Sequence, residues 1–249
     1  MNGNNQPTKQ DRYEIRKQER MKISAAAKRG RSAKRIIMWI TVLAAIGGSI
    51  FGLIMIVKNS ETLNQYGNLS VLVSENDWSR GPTDAKIVLV EYSDFQCPAC
   101  KSYFPILKQL NEEFAGQVKF VYRHFPLSQI HANARLAAYG AEAAGKQNKF
   151  WEMHDLIFEN QEEWAAKSAG DATSDFISFA ESLGLNKEQF TSDMDSEEIK
   201  DKVSANYNGG IEAGVNSTPT FFLNGKLMPN PRTYDEFRKI ISDAADAGS

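Results

Sequence analysis

From Ile36 to Val57 the chain reads IIMWITVLAAIGGSIFGLIMIV, 22 positions without a charged residue. A helix crossing a bilayer core takes about 20 apolar residues, so this run predicts a membrane span. A cleaved leader would be shorter and end in small residues, and Lys58 onward (KNSETLNQYG) offers no such site. The pattern therefore predicts an uncleaved signal anchor. Later apolar runs are much shorter. Lys86–Tyr92 (KIVLVEY) predicts a strand buried on both faces, and Gln117–Tyr122 (QVKFVY) a second strand. Between them Phe104, Leu107, Leu110 and Phe114 recur at helical spacing with Ile106 beside them, and Pro105 should kink that helix.

Downstream, Thr220–Leu223, the turn Asn224-Gly225 and Lys226–Met228 predict a hairpin. Thr233 and Glu236 form a capping box for a last helix, whose Tyr234, Phe237, Ile240 and Ile241 share one face. The long interval from Ser128 to Ala213 reads as helices: an alanine-rich one over 132–144, a crowded surface of Phe150, Trp151, Met153, His154 and Ile157, and starts at Asn186 with Gln189 and at Asp195 with Glu198. Residues 58–80 read as a polar tether with a short edge strand at Val71–Val73. The element order, βα, β, a helical interval, then ββα, is that of an α/β fold.

Charge changes this picture at one end. Residues 1–35 hold 11 Lys or Arg against 3 Asp or Glu, and the remainder holds 18 against 28. Lys28, Arg29, Arg31, Lys34 and Arg35 crowd the amino-terminal side of the apolar run, which keeps the basic tail cytoplasmic and exports everything after Lys58. The exported part is too acidic to bind nucleic acid well.

Its two cysteines, Cys97 and Cys100, are the whole thiol complement of 249 residues and stand in DFQCPAC. Outside the cytoplasm such a pair tends to form a disulfide. A structural staple closing so small a loop would constrain little of the unfolded chain. Zinc would need four ligands, and His124, His131 and His154 are scattered, which leaves a two-coordinate copper(I) site as the surviving metal reading. Redox chemistry has more behind it. A helix starting near Cys97, with Pro98 in its first turn, puts the Cys97 sulfur among unpaired N–H groups, where a thiolate is stabilised. Cys100, one turn on, shares that helix face and is the sheltered partner of an exposed nucleophile.

On these residues the chain resembles the DsbA-like thiol-disulfide oxidoreductases of the thioredoxin superfamily. The resemblance covers about residues 76–245 and is carried by RGPTDAKIVLVEYSDFQCPACK at 80–101, VYRHFPL at 121–127 and GVNSTPTFFLNGK at 214–226. It implies a thioredoxin-like fold over 81–249 with a helical insertion at about 128–213, Cys97 as nucleophile and Cys100 as resolving thiol. It also implies that Pro219 is a cis-proline and that the Thr218 backbone meets the substrate. Glu91, six residues before Cys97, matches the acid such proteins bury beneath the site; read alone, it is equally an exposed strand-end glutamate. His124 and Phe125 match a family loop and report packing. Between the cysteines stands Pro98-Ala99 where the best-known oxidant of the family has Pro-His, which implies a less extreme Cys97 thiolate.

The expected function is a membrane-tethered, extracytoplasmic oxidoreductase that forms disulfides in exported thiol proteins and is recycled by a membrane redox partner. No cofactor and no metal are expected. A reductase of the same fold, a copper-handling protein and a peptide-binding module are the alternatives.

Overall fold

The computed structural model describes Gly48 and residues 68–247. The basic tail, the apolar run apart from Gly48, and the first part of the tether lie outside them. Among the described residues no helix is long and apolar enough to cross a membrane.

Five strands form one sheet: β1 (Trp78–Arg80), β2 (Ile87–Ser93), β3 (Val118–His124), β4 (Thr220–Leu223) and β5 (Lys226–Met228). Their order is β1-β3-β2-β4-β5. The central β2 is parallel to β3 and antiparallel to β4, the arrangement that a βαβ crossover followed by a hairpin produces. The hairpin turn has positive φ at both Asn224 (49°) and Gly225 (79°), as a two-residue connection of right-handed strands requires.

Period-two alternation sorts the strand residues to two faces. Ile87, Leu89, Phe120 and Phe221 face one side, where α1 (Pro98–Glu113) and the carboxy-terminal α8 (Tyr234–Ala247) cover them with Leu107, Leu110, Phe114, Phe237 and Ile241. Val90, Tyr92, Val121 and Phe222 face the other, packed with Phe125, Ala213 and Val215. Burial on both faces is why β2 reads as an unbroken apolar run.

The insertion is helical, as expected. It comprises α2 (Ala134–Lys146), α3 (Phe150–Glu159), α4 (Gln161–Trp164), α5 (Ala169–Ser182), α6 (Lys187–Met194) and α7 (Glu197–Glu212). Its core of Phe150, Met153, Ile157, Phe158, Trp164, Phe176 and Phe190 also takes in Phe95, Cys97 and Cys100, so the insertion is continuous with the ground under the cysteines.

Two local expectations need correction. The edge strand is Trp78–Arg80, antiparallel to β3, and not Val71–Val73, so the sheet begins inside the segment read as tether. The Val71 and Leu72 carbonyls accept from the Arg123 guanidinium instead of a strand. Trp78 fixes the edge by stacking on Phe150 at 4.4 Å and donating to Glu142, and its ring lies so close to Gly145 that a Cβ there would sit 2.3 Å from it. Second, α7 is capped by Ser196, which accepts from the Ile199 N–H, and not by Asp195. Asn186 does cap α6, accepting from Gln189. Pro105 lies inside α1, which continues on both sides of it.

Candidate active site

At the end of β2 the chain turns through Asp94–Gln96 and enters α1 at Cys97, whose φ of −72° and ψ of 122° make it the N-cap, with Pro98 first in the helix. The turn is held by Asp94. Its buried carboxylate accepts from the Gln96 N–H (2.8 Å), the Leu127 N–H (2.9 Å) and His131 Nδ1 (2.7 Å). Its carbonyl accepts from the Cys97 N–H at 3.0 Å, and its own N–H donates to Cys100 Sγ at 3.5 Å. One residue thus grips both cysteines through its backbone and the opposite loop through its side chain.

The loop before β4 supplies the other wall. Thr218-Pro219 is a cis peptide, and the Thr218 carbonyl accepts from Cys97 Sγ at 3.5 Å across 121 positions of sequence. Cys97, Cys100, Thr218 and Pro219 therefore share one corner. The expected exposed nucleophile is better covered than foreseen: Cys97 is 7% exposed against 1% for Cys100, because the cis-proline loop and the insertion close over it.

Covering has opposite consequences for the two thiols. Cys97 is pulled down to about 5, foremost by a hydrogen bond from Cys100, with the Thr218 hydroxyl and the backbone N–H groups of Cys100 and Ala99 adding to it and burial opposing. Those last two donors are free because they lie in the first turn of a helix. Cys100 is pushed well above the usual thiol value by burial first, then by its hydrogen bond to Cys97 and by the nearby charges of Cys97 and Glu91.

Glu91 stands on the α1 face of the sheet, its register partners being Tyr122 on β3 and Phe221 on β4. Desolvation raises its pKa to about 7, tempered by the Ser93 hydroxyl and reinforced by the charge of Cys97. Glu91 is half-buried there, inside β2 and not at an open strand end. His124 and Phe125 pack as expected: His124 is buried against Glu142 at 2.9 Å, and Phe125 lies in the core.

Two contributors escaped the sequence reading. Gln161 of α4 donates through Nε2 to the carbonyls of Phe95 (2.6 Å) and Cys97 (3.0 Å), pinning the turn from the insertion. Nothing local marks a glutamine 64 residues away for that task. Asp94 was within reach, since an Asp in a strand-to-helix turn is a residue that caps its own backbone.

Comparison with known proteins agrees with this geometry. The family profile described as thioredoxin matches residues 73–243. The oxidised crystal structure of BdbD from Bacillus subtilis superposes with a TM-score of 0.62 at 25% identity, over 72% of this chain and 99% of that one. Wolbachia pipientis alpha-DsbA1 superposes with a TM-score of 0.64 at 21% identity, over 71% of this chain and 94% of that one, which speaks for the fold. A curated relative, the Na(+)/H(+) antiporter NhaA 3 of Salinispora tropica, is 32% identical over 170 residues, 68% of this chain but 25% of that protein. The chain thus spans about a quarter of the length of the curated relatives it matches. With its paired cysteines at a helix N-cap facing a cis-proline, this chain belongs to the thioredoxin family, among its DsbA-like thiol-disulfide oxidoreductases.

Proposed function

We propose that the protein forms disulfides in exported proteins, held at the outer face of the cell membrane by residues 36–57 and reoxidised by a membrane redox partner. The observation that carries this reading is the unequal placing of the two thiols: Cys97 caps α1 against the Thr218 carbonyl and is drawn down, while Cys100 lies one turn deeper against the Asp94 N–H and is pushed up. A stable Cys97 thiolate makes Cys97 a good leaving group and favours the reduced protein, so the disulfide is an oxidant.

The cycle follows from that inequality. A substrate thiolate attacks Cys97 Sγ of the Cys97–Cys100 disulfide; the S–S bond breaks and its electron pair leaves on Cys100. Cys100 holds a proton tightly, and Glu91, half protonated near pH 7, is the acid placed to supply it. A second substrate thiolate then attacks the substrate sulfur of the mixed disulfide. Cys97 departs as a thiolate with no need of a proton, the substrate is oxidised by two electrons, and the enzyme pair is left reduced. The cis-proline loop offers backbone groups of Thr218 to an extended substrate chain beside the sulfur.

The test is the redox equilibrium of the protein in glutathione buffers, read by mass after free thiols are trapped. A potential toward −120 mV, roughly the DsbA value, supports the oxidant; one toward about −270 mV makes the protein a reductase. Failure to equilibrate would remove the redox reading and favour copper or peptide binding at the same corner.

A further inference from the structure

Beneath α1, next to Glu91, lies a cavity of about 30 Å³. Glu91, Tyr122, Lys108, Arg80, His154 and Asp155 are its titratable and charged lining groups, contributed by β2, β3, α1, β1 and α3. It is roomy and polar enough for a water, which needs about 10–15 Å³ and polar partners. The Tyr122 hydroxyl is buried without a hydrogen-bond partner, a donor and acceptor left over on the Glu91 side.

On the far side His154 is wedged among Phe95, Phe104 and Phe158. Its Nδ1 lies 2.8 Å from Asp155 Oδ1. Asp155 Oδ2 in turn pairs with Arg80 at 3.5 Å and Lys108 at 3.8 Å, in a partly exposed position. Burial pushes the Asp155 carboxyl up, but the hydrogen bond and charge of His154, followed by Arg80 and Lys108, outweigh it and hold the carboxyl below its usual value, so it is an anion and the Nδ1 proton points to it. Nε2 is then the basic nitrogen. Burial, the leading cause, lowers the His154 pKa, and the Arg80 and His124 charges add to this against the pull of Asp155, so the ring is neutral at pH 7 and free to accept a proton.

We propose that His154, oriented by Asp155, is the proton-transfer residue that connects Glu91 with solvent by way of water in this cavity. A proton accepted at Nε2 from the cavity makes a transient imidazolium, and the Nδ1 proton passes to Asp155 and out to solvent. Inward traffic reverses each transfer, so Glu91 regains the proton it gave to Cys100. The proposal rests on the reading of Glu91 as the acid-base partner of Cys100. The carboxylate that fixes the His154 tautomer is the same one that reaches solvent beside Arg80 and Lys108, which is the continuity a relay requires.

The test mixes the oxidised full-length protein with a dithiol peptide at pH 8, where most Glu91 has lost its proton, and follows tryptophan fluorescence by stopped flow at increasing imidazole concentration. The wild-type rate should not depend on imidazole. His154→Gln should be about tenfold slower in dilute buffer and recover as imidazole rises, since small bases replace a lost proton carrier. Asp155→Asn should be slowed about threefold, with the same recovery. If His154→Gln matches wild type, or is slow at every imidazole concentration, while Glu91→Gln is slow, the relay is wrong and the Glu91 assignment survives. If Glu91→Gln is as fast as wild type, both fall. Should His154→Gln fail to fold, Asp155→Asn decides by the same criterion.

Discussion

Glu91 pairs with Tyr122 and, one register further, Tyr92 pairs with Arg123, so neighbouring positions of the same two strands send polar groups to opposite faces of the sheet. The two faces treat them differently. Arg123 spends its guanidinium on five hydrogen bonds: two to the Asp77 carboxylate, one to the Tyr92 hydroxyl and one each to the carbonyls of Val71 and Leu72. Every donor is used, and the result is a clamp that lays residues 71–77 on the sheet. On the α1 face, Glu91 is desolvated, tempered by the Ser93 hydroxyl, and the Tyr122 hydroxyl beside it is buried. A fully satisfied buried network fixes structure, whereas a desolvated acid keeps a proton it can give away.

The comparison can be broken in several ways. The largest effect belongs to the corner that Glu91 serves. Cys97→Ser should lower dithiol oxidation by at least about 10³-fold, and Cys100→Ser should leave a mixed disulfide on Cys97, visible as added mass. Accumulation on Cys100 in the Cys97→Ser protein would reverse the assigned roles.

Next comes the clamp. Arg123→Met leaves the Asp77 carboxylate buried and unpaired, and should cost about 3–5 kcal/mol in urea unfolding. The folded fraction should keep its redox potential. A shifted potential would mean that the two faces are coupled.

Glu91 should show the opposite profile. Folded, it holds its proton up to about pH 7, against a usual value of 4.5. The stability this contributes is complete below pH 4.5 and lost as pH rises past 7, a change of roughly 3 kcal/mol at about 1.4 kcal/mol per pH unit. Glu91→Gln should remove that slope, so the reduced variant should gain on wild type steadily from pH 5 to pH 8 while its oxidation rate falls. Parallel stability curves would show that the carboxyl is solvated after all.

The smallest effect is expected at Gln161. Truncation to alanine leaves the Phe95 and Cys97 carbonyls short of one donor each in a buried site, a loss of about 1–3 kcal/mol. The Cys97 thiolate, followed by its absorbance, should then titrate over a broader range than the wild type's midpoint near 5. A wild-type titration would confine Gln161 to stability.

Much of this was legible in local pattern. Strands β2 and β3, the hairpin and the helix after Cys97 announce themselves because period, turn chemistry and capping act over a few residues. The Cys97–Cys100 pair and its low-pKa member follow from a helix start, which is equally local. The edge strand was misplaced for a matching reason: Val71–Val73 has better strand residues than Trp78–Arg80, but Arg123, more than 50 positions away, claims its carbonyls.

By itself, then, the sequence determined the central strands, the hairpin, the helix after Cys97, the reactive pair and the order in which the cis-proline follows it, since each depends on short-range geometry and on residue chemistry. The tertiary structure decided which face each polar group meets. Glu91 becomes an acid of pKa about 7 because α1 and the insertion separate it from bulk solvent, and Arg123 becomes a clamp because Asp77 folds back over the other side. Desolvation and long-range pairing depend on what surrounds a group in space, and that is set when distant segments pack.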